Sequence, residues 1–129
     1  MAGGLVQAEA NRLLDASLRG VAYTLPTTPM KNALLTTTGS ATAAGTEVTG
    51  GTYARATITL GTAAAAGSVS NTATVDHTGM PAATTTGIDV YDSNGSPRRA
   101  WWGPLTASRT TLAGDILSFA IGALVFNLV

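Results

Sequence analysis

The sequence is poor in charge, in aromatic residues and in cysteine, and these shortages exclude several classes of protein. It has 129 residues, no cysteine and 11% charged residues, with seven Lys and Arg balancing seven Asp and Glu. Without cysteine there can be no disulfide framework, thiolate zinc site or cysteine nucleophile. A net charge of zero argues against nucleic-acid binding, because phosphate contacts require clustered Lys and Arg. So little charge is typical of a protein that works inside an assembly, since charge normally keeps a free monomer soluble.

Three small residue types fill much of the chain instead, namely 23 Ala, 22 Thr and 15 Gly. Threonine favours strands because its branched Cβ fits a pleated surface, and glycine favours tight turns. Alanine buries little area, so the core has to depend on scattered Leu, Ile, Val, Phe and Trp. The length fits one domain with one modest core.

Neither a membrane segment nor a signal peptide is predicted. The start of the chain lacks a basic segment followed by an uninterrupted apolar run. The apolar stretch at Ile116–Val129 is shorter than the roughly 20 residues that a membrane-spanning helix needs. We interpret it as two core strands, Ile116–Ile121 and Leu124–Leu128.

The first segment has a helical period. In LVQAEANRLLDASL, at Leu5–Leu18, apolar residues recur about every 3.6 positions, and Gly20 is a suitable stop. We expect Glu9 and Arg12 to pair on the exposed side of this helix. A lone helix of about 15 residues is marginal in water, so it has to pack on the domain, on a partner or on copies of itself. We therefore predict protein contacts through its apolar side chains, which are Leu5, Val6, Leu13, Leu14 and Leu18.

After Pro26 the pattern changes to short strands separated by turns, with no helical segment between them. Their spacing of roughly 8–15 residues favours an antiparallel β-sandwich. About eight strands in two sheets would make it jelly-roll-like, and an immunoglobulin-like sandwich is the alternative. We predict a mainly β protein in which residues 1–24 form a short N-terminal α-helix with its linker and residues 25–129 form one β-sandwich domain. The remaining predicted strands are Met30–Thr36, Tyr53–Leu60, Ser68–Val75, Gly87–Tyr91, Arg98–Trp102 and a short one beginning at Leu105.

The residues between these strands predict one hairpin turn and two breaks. Asn-Gly in Asp92–Pro97 predicts a tight hairpin, because that turn needs positive φ angles. His77–Pro81 is predicted as a break. Gly103 and Pro104 are expected to interrupt the strand that returns from the hairpin.

Residues able to do chemistry are scattered singly. His77 is the one histidine and follows Asp76, but neighbouring strand residues point to opposite faces. We interpret His77 as a structural or solvated loop residue rather than a metal ligand. Asp89 and Asp92 are interpreted as a strand-face charge and a turn cap rather than a glycosidase pair. No nucleophile elbow or phosphate-binding glycine loop is present. We predict a protein with no enzymatic activity, no cofactor and no bound metal.

One stretch concentrates the residues that make strong contacts, and it contains Arg98, Arg99, Trp101 and Trp102. Arg and Trp are enriched at the binding hot spots of protein interfaces. The stretch is therefore a candidate protein-interaction site, and a sugar site is a further alternative. The structural alternative is that one Trp enters the core while the arginines are solvated hairpin charges.

Five stretches cover well over half of the chain: LVQAEANRLLDASL at Leu5–Leu18, GTEVTGGTYARATITL at Gly45–Leu60, SNTATV at Ser70–Val75, GIDVYDSNG at Gly87–Gly95 and WWGPLTASRTTLAGDILSFAIGALVFNLV at Trp101–Val129. As a set they resemble small virion proteins of tailed phages, particularly phages of actinobacteria. Members of that family are labelled as tail fibre, minor tail or head decoration proteins. The resemblance implies a virion structural protein and brings no catalytic residues with it.

On this basis we predict a capsid decoration protein, made in the host cytoplasm and located on the outer surface of the phage head. There it would bind the major capsid protein and reinforce the shell, and repetition around the shell would multiply weak contacts. We expect a homo-oligomer, with a trimer favoured at local threefold positions, and neither nucleic acid nor membrane as a partner. The alternative is a minor tail or tail-fibre protein that contacts the host surface through Arg98–Trp102. A carbohydrate-binding or lytic module is the third hypothesis.

Overall fold

The computed structural model describes residues 3–63 and 66–128, and most of its regular structure is antiparallel strand. The outermost residues of the two predicted segments, 1–2 and 129, lie outside the described residues. The elements in chain order are β1 (Gly4–Leu5), α1 (Gln7–Arg19), β2 (Met30–Thr37), β3 (Thr46–Glu47), β4 (Ala56–Ile58), β5 (Ser68–Ser70), β6 (Val75–Met80), β7 (Ala83–Tyr91), β8 (Arg99–Thr111), β9 (Asp115–Phe119) and β10 (Val125–Asn127).

The strands form one large sheet and two short ladders. The large sheet has the order β1-β8-β7-β2-β3, with β4 also paired to β2, and the ladders are β5 with β10 and β6 with β9. The buried apolar side chains come from the sheet and from both ladders, so the core lies between two layers. The prediction of a mainly β, antiparallel fold with one short N-terminal helix is confirmed. The core residues are Leu34, Val48, Ile58, Val75, Met80, Ile88, Val90, Leu117, Leu124 and Phe126.

Strand β8 is longer than predicted. It continues through Gly103 and Pro104, where we expected an interruption. Pro104 lies opposite Gly87 of β7, and the described residues of β1 pair with β8 at Trp101 and Trp102. Pro104 lies outside the described β1–β8 pairs, so its missing N–H removes no donor from that ladder.

Ser68–Val75 is not one strand. β5 ends before Asn71, and the buried side chain of Asn71 forms hydrogen bonds with nearby backbone groups. The amide nitrogen of Asn71 donates to the carbonyls of Ala73 and Ala120, and its oxygen accepts from the N–H of Leu124. The predicted break at His77–Pro81 is also wrong, because β6 runs from Val75 through His77 to Met80. The predicted strand Tyr53–Leu60 is reduced to Ala56–Ile58.

The loop between β7 and β8 is not the tight Asn-Gly hairpin that we predicted. Neither Asn94 nor Gly95 has a positive φ. Asp92 holds a wider loop instead, since its carboxylate accepts from the backbone N–H groups of Thr27 (3.1 Å), Asn94 (3.3 Å) and Arg98 (2.7 Å). The interpretation of Asp92 as a turn cap is confirmed, although the turn that it caps is a different one.

The two apolar segments near the end of the chain form strands, as predicted, with shorter bounds. β9 pairs with β6 and β10 pairs with β5. In the part of the chain that the structure describes, no helix is long and apolar enough to cross a membrane.

Candidate functional site

Arg98 ties the N-terminal segment to the sheet. Its Nη2 lies 2.7 Å from Oε1 of Glu9 on α1 and donates to the hydroxyl of Tyr23 at 3.1 Å. Its Nη1 donates to the carbonyl of Thr24 at 2.8 Å. One guanidinium therefore fixes both the helix and the chain that follows it. The division into an N-terminal segment at residues 1–24 and one domain at residues 25–129 stays a prediction.

Glu9 is the centre of this network. It accepts hydrogen bonds from Arg12 at 3.0 Å, from Tyr23 and from Arg98. Burial alone would raise the pKa of Glu9, but the hydrogen bonds from Tyr23, Arg98 and Arg12 outweigh burial, so the pKa lies below its usual value. The expected Glu9–Arg12 pair is confirmed. Its placement on the exposed side is wrong for Glu9, which is buried against the sheet.

Arg99 fixes a loop in the same way. Its Nη2 donates to the carbonyl of Ser40 at 2.7 Å and lies 2.8 Å from Oδ1 of Asp89. Asp89 is fully buried on β7, and its other oxygen accepts from the N–H of Gly45 at 3.2 Å. The pair therefore holds the loop at 38–45 against the sheet. The side chains of Arg98 and Arg99 are only 17% and 12% exposed, so their interpretation as solvated hairpin charges is wrong.

The two tryptophans are both half-buried. Trp101 packs against the core, with its ring centroid 5.4 Å from that of Phe126 in an edge-on arrangement. Trp102 lies opposite Gly4 of β1 and Asp89 of β7 in the sheet. The expectation that one tryptophan packs into the core is confirmed for Trp101. The Arg98–Trp102 stretch therefore makes strong contacts within the chain, and its role in contacts with other chains stays a prediction.

The structure divides the five apolar residues that we predicted as contact points of the helix. Val6 is buried just before α1, and its N–H donates to the carbonyl of Ala100. Leu5 in β1 and Leu13 are half-buried. Leu14 and Leu18 are exposed and lie one helical turn apart, so they share a face. These two are the helix residues most available to another protein.

Two further exposed apolar residues follow the helix, one in the predicted linker and the other at the first residue of the predicted β-sandwich domain. They are Val21 and Leu25. In the sequence, these two residues alternate with polar or small neighbours after Gly20, which is a weak sign of an exposed contact surface. The segment is too short for this pattern to distinguish a contact surface from a linker. We call Leu14, Leu18, Val21 and Leu25 together the N-terminal apolar surface. Leu18 and Leu25 are 78% and 76% exposed.

His77 is buried between the layers and not in a loop. Asn32 can only donate through Nδ2, which lies 3.0 Å from Nε2 of His77, so Nε2 accepts and Nδ1–H donates to the carbonyl of Ala54 at 3.3 Å. The ring stacks on Tyr53. Burial lowers the pKa of His77, which keeps it neutral. The interpretation of His77 as a structural residue is confirmed, and its placement in a loop is wrong. Among the described residues, no group of three or more His, Asp or Glu side chains could hold a metal ion.

The comparison with known families covers nearly the whole chain. The family model of the Podophage GP4 fiber I protein gp80 matches residues 4–127. No curated protein matches the chain. The matched range includes the N-terminal apolar surface, the Arg98–Trp102 stretch and both ladders.

Proposed function

The chain belongs to the family of the Podophage GP4 fiber I protein gp80, and on that premise we propose that it is a structural subunit of a phage tail fibre. The family match over residues 4–127 is the observation that carries this proposal. The resemblance to virion structural proteins is confirmed. The family is one of structural fibre proteins, in keeping with the expectation that the chain is not an enzyme. Its name favours the tail-fibre alternative over the capsid decoration role that we expected first.

The N-terminal apolar surface is the contact between subunits in this proposal. The rest of the described chain leaves four aliphatic side chains within residues 14–25 between 46% and 78% exposed. Covering each leucine removes its exposed area from water, which contributes about 1–2 kcal/mol. The partner is a second copy of the chain, because repeated copies of one subunit bring the same apolar surfaces together around a symmetry axis. A trimer is the arrangement that we favour.

The position on the particle is tested by counting and labelling. Quantitative mass spectrometry of purified particles gives the copy number of this chain, and gold-labelled antibody gives its location by electron microscopy. Tens of copies or fewer, with label on the tail, support the fibre role. Hundreds of copies, with label on the head, would overturn it in favour of capsid decoration.

The subunit contact is tested by placing a charge at its centre. Leu18→Glu should weaken association by about 30-fold, which corresponds to about 2 kcal/mol, because a carboxylate replaces a side chain that the partner covers. Sedimentation velocity over a concentration series measures the shift toward monomer. Ile121→Glu is the matched control, since Ile121 is similarly exposed but lies outside the N-terminal apolar surface. A monomeric wild-type chain, or equal behaviour of the two variants, would show that this surface is not the contact.

A further inference from the structure

A cleft of about 380 Å³ lies between β8 and β9. One wall is made by residues of β8 from Pro104 to Arg109, the other by Leu117–Phe119 of β9, and the buried core residue Leu124 contributes to its lining. None of the lining residues belongs to β6 or β7. Because β6 pairs with β9 and β7 pairs with β8, the cleft lies at the opposite edge of each strand.

The edge of β9 along this cleft has free backbone groups. β9 pairs with β6, where Leu117 lies opposite His77 and Phe119 opposite Val75. Within residues 3–63 and 66–128, no other strand pairs with β9. A two-stranded ladder is the smallest sheet, and an unpaired edge is a template for a further strand.

The facing edge of β8 is less suited to pairing. Pro104 lacks an N–H, and the register of β8 against β7 shifts between Gly87 and Thr85. Prolines and bulges are features that protect strand edges from pairing. β9 contains no proline, and although its ladder with β6 shifts in register between Leu117 and Asp115, its pairs from Leu117 to Phe119 are regular. β9 therefore provides the backbone pairing and β8 provides the side-chain wall.

The side chains around the cleft specify what could fill it. Leu105 and Phe119 are half-buried and leave an apolar lining, and Ile116 is exposed on the outer side of β9. Arg109 is exposed at the rim and pairs with no carboxylate in the described part of the chain. A free cation beside an apolar strand edge is complementary to an extended segment that carries one carboxylate.

We propose that this cleft docks an extended, acidic segment of another polypeptide. The segment adds to β9 as a third strand, places an apolar side chain between Leu105 and Leu117, and sets a carboxylate against Arg109. This inference does not depend on the N-terminal apolar surface or on the position of the chain in the particle.

The test uses the full chain, labelled with ¹⁵N, and the blocked peptide Ac-Val-Thr-Val-Glu-Val-NH2 as the probe. Titration should shift the amide signals of residues 115–119 and of Arg109, and should slow amide hydrogen exchange in β9. Replacing the peptide's Glu by Gln should weaken binding about two- to fivefold, as should Arg109→Gln in the protein, and the two changes together should cost no more than one alone. The amide spectrum of the Arg109→Gln variant confirms that it is folded.

A peptide of the same sequence with N-methylated backbone amides is the control for strand pairing. It should lose binding, because it cannot donate hydrogen bonds to β9. Equal binding of the methylated peptide, additive effects of the two charge changes, signal shifts confined to other surfaces, or no binding at millimolar peptide would each overturn the proposal.

Discussion

Replacing Glu9 with alanine should loosen the N-terminal segment from the sheet. Glu9 is 2% exposed, and its carboxylate accepts hydrogen bonds from Arg12, Tyr23 and Arg98. In the variant, Arg98 keeps its hydrogen bonds to the carbonyl of Thr24 and the hydroxyl of Tyr23 but loses the carboxylate with which it pairs. A largely buried guanidinium is then left without a counter-charge.

We expect this change to reduce the free energy of unfolding by about 3 kcal/mol. Removing one partner of a buried ion pair costs about 3–5 kcal/mol, and the low end applies because Arg98 keeps two hydrogen bonds and some contact with water. For a domain of this size, the same loss lowers the melting temperature by about 10 °C. Asp15→Ala is the matched control, since Asp15 pairs with Arg19 on the same helix at 2.9 Å but is 43% exposed. Breaking that exposed pair should cost less than about 0.5 kcal/mol.

Urea denaturation followed by the fluorescence of Trp101 and Trp102 measures both variants. The double variant Glu9→Ala/Arg98→Met removes both charges, so it should lose less stability than the two single variants added together, by about 1–3 kcal/mol. Equal losses for Glu9→Ala and Asp15→Ala, or a strictly additive double variant, would refute the reasoning that burial gives this pair its weight.

Two further predictions concern buried polar groups. Because burial lowers the pKa of His77, the unfolded chain binds more protons than the folded one below about pH 6.5, so the free energy of unfolding should fall as the pH drops through this range. His77→Gln should flatten the dependence of the free energy of unfolding, measured by urea denaturation, on pH between 5 and 7. An unchanged slope in this variant would contradict the role given to His77. Asp92→Ala should lower the free energy of unfolding by about 2–3 kcal/mol in the same assay, because three backbone N–H groups lose their acceptor. Asn94→Ala removes one exposed hydrogen bond to the N–H of Ser96, so it should lower the free energy of unfolding by less than about 1 kcal/mol. Similar losses for the two variants would contradict the role of Asp92.

Elements with a clear local period could be predicted from the sequence. The 3.6-residue repeat of α1 and the apolar character of the predicted strand Met30–Thr36 are properties of neighbouring residues, and the two elements formed within two residues of the predicted bounds. The alternation in Gly87–Tyr91 also predicted a strand. Asp89 is buried as deeply as Ile88 and Val90, because both faces of β7 are covered. The alternation of residues along the strand did not indicate this burial.

The errors concern features that distant residues decide. The loop after β7 is fixed by a hydrogen bond from Thr27 to Asp92, 65 positions apart. Glu9 is buried by Arg98, 89 positions away, and His77 is held in the core by Asn32, 45 positions away. Neither periodicity nor turn propensity contains information on such pairings, so the sequence predicted an exposed helix charge and a loop histidine.

The candidate site was predicted in part for the same reason. The composition of the Arg98–Trp102 stretch correctly indicated strong contacts, but whether these contacts lie within the chain or between chains depends on the position of Glu9 and Asp89. Leu14 and Leu18 were identified by helical periodicity. Leu25 was missed because a short extended segment after a helix has the same residue pattern whether it is a linker or a contact surface.

The distribution of charge connects the composition to the two contact surfaces. Most of the few charged side chains are paired within the chain, so they contribute little repulsion or attraction between subunits. In our two proposals, contacts with other chains therefore depend on the apolar side chains of the N-terminal apolar surface and on the backbone hydrogen bonds that the edge of β9 offers. Arg109 has no carboxylate partner in the described residues. It can therefore add charge specificity at the edge of β9, whereas the N-terminal apolar surface has no such group. The cations paired with carboxylates are Arg12, Arg19, Arg55, Arg98 and Arg99.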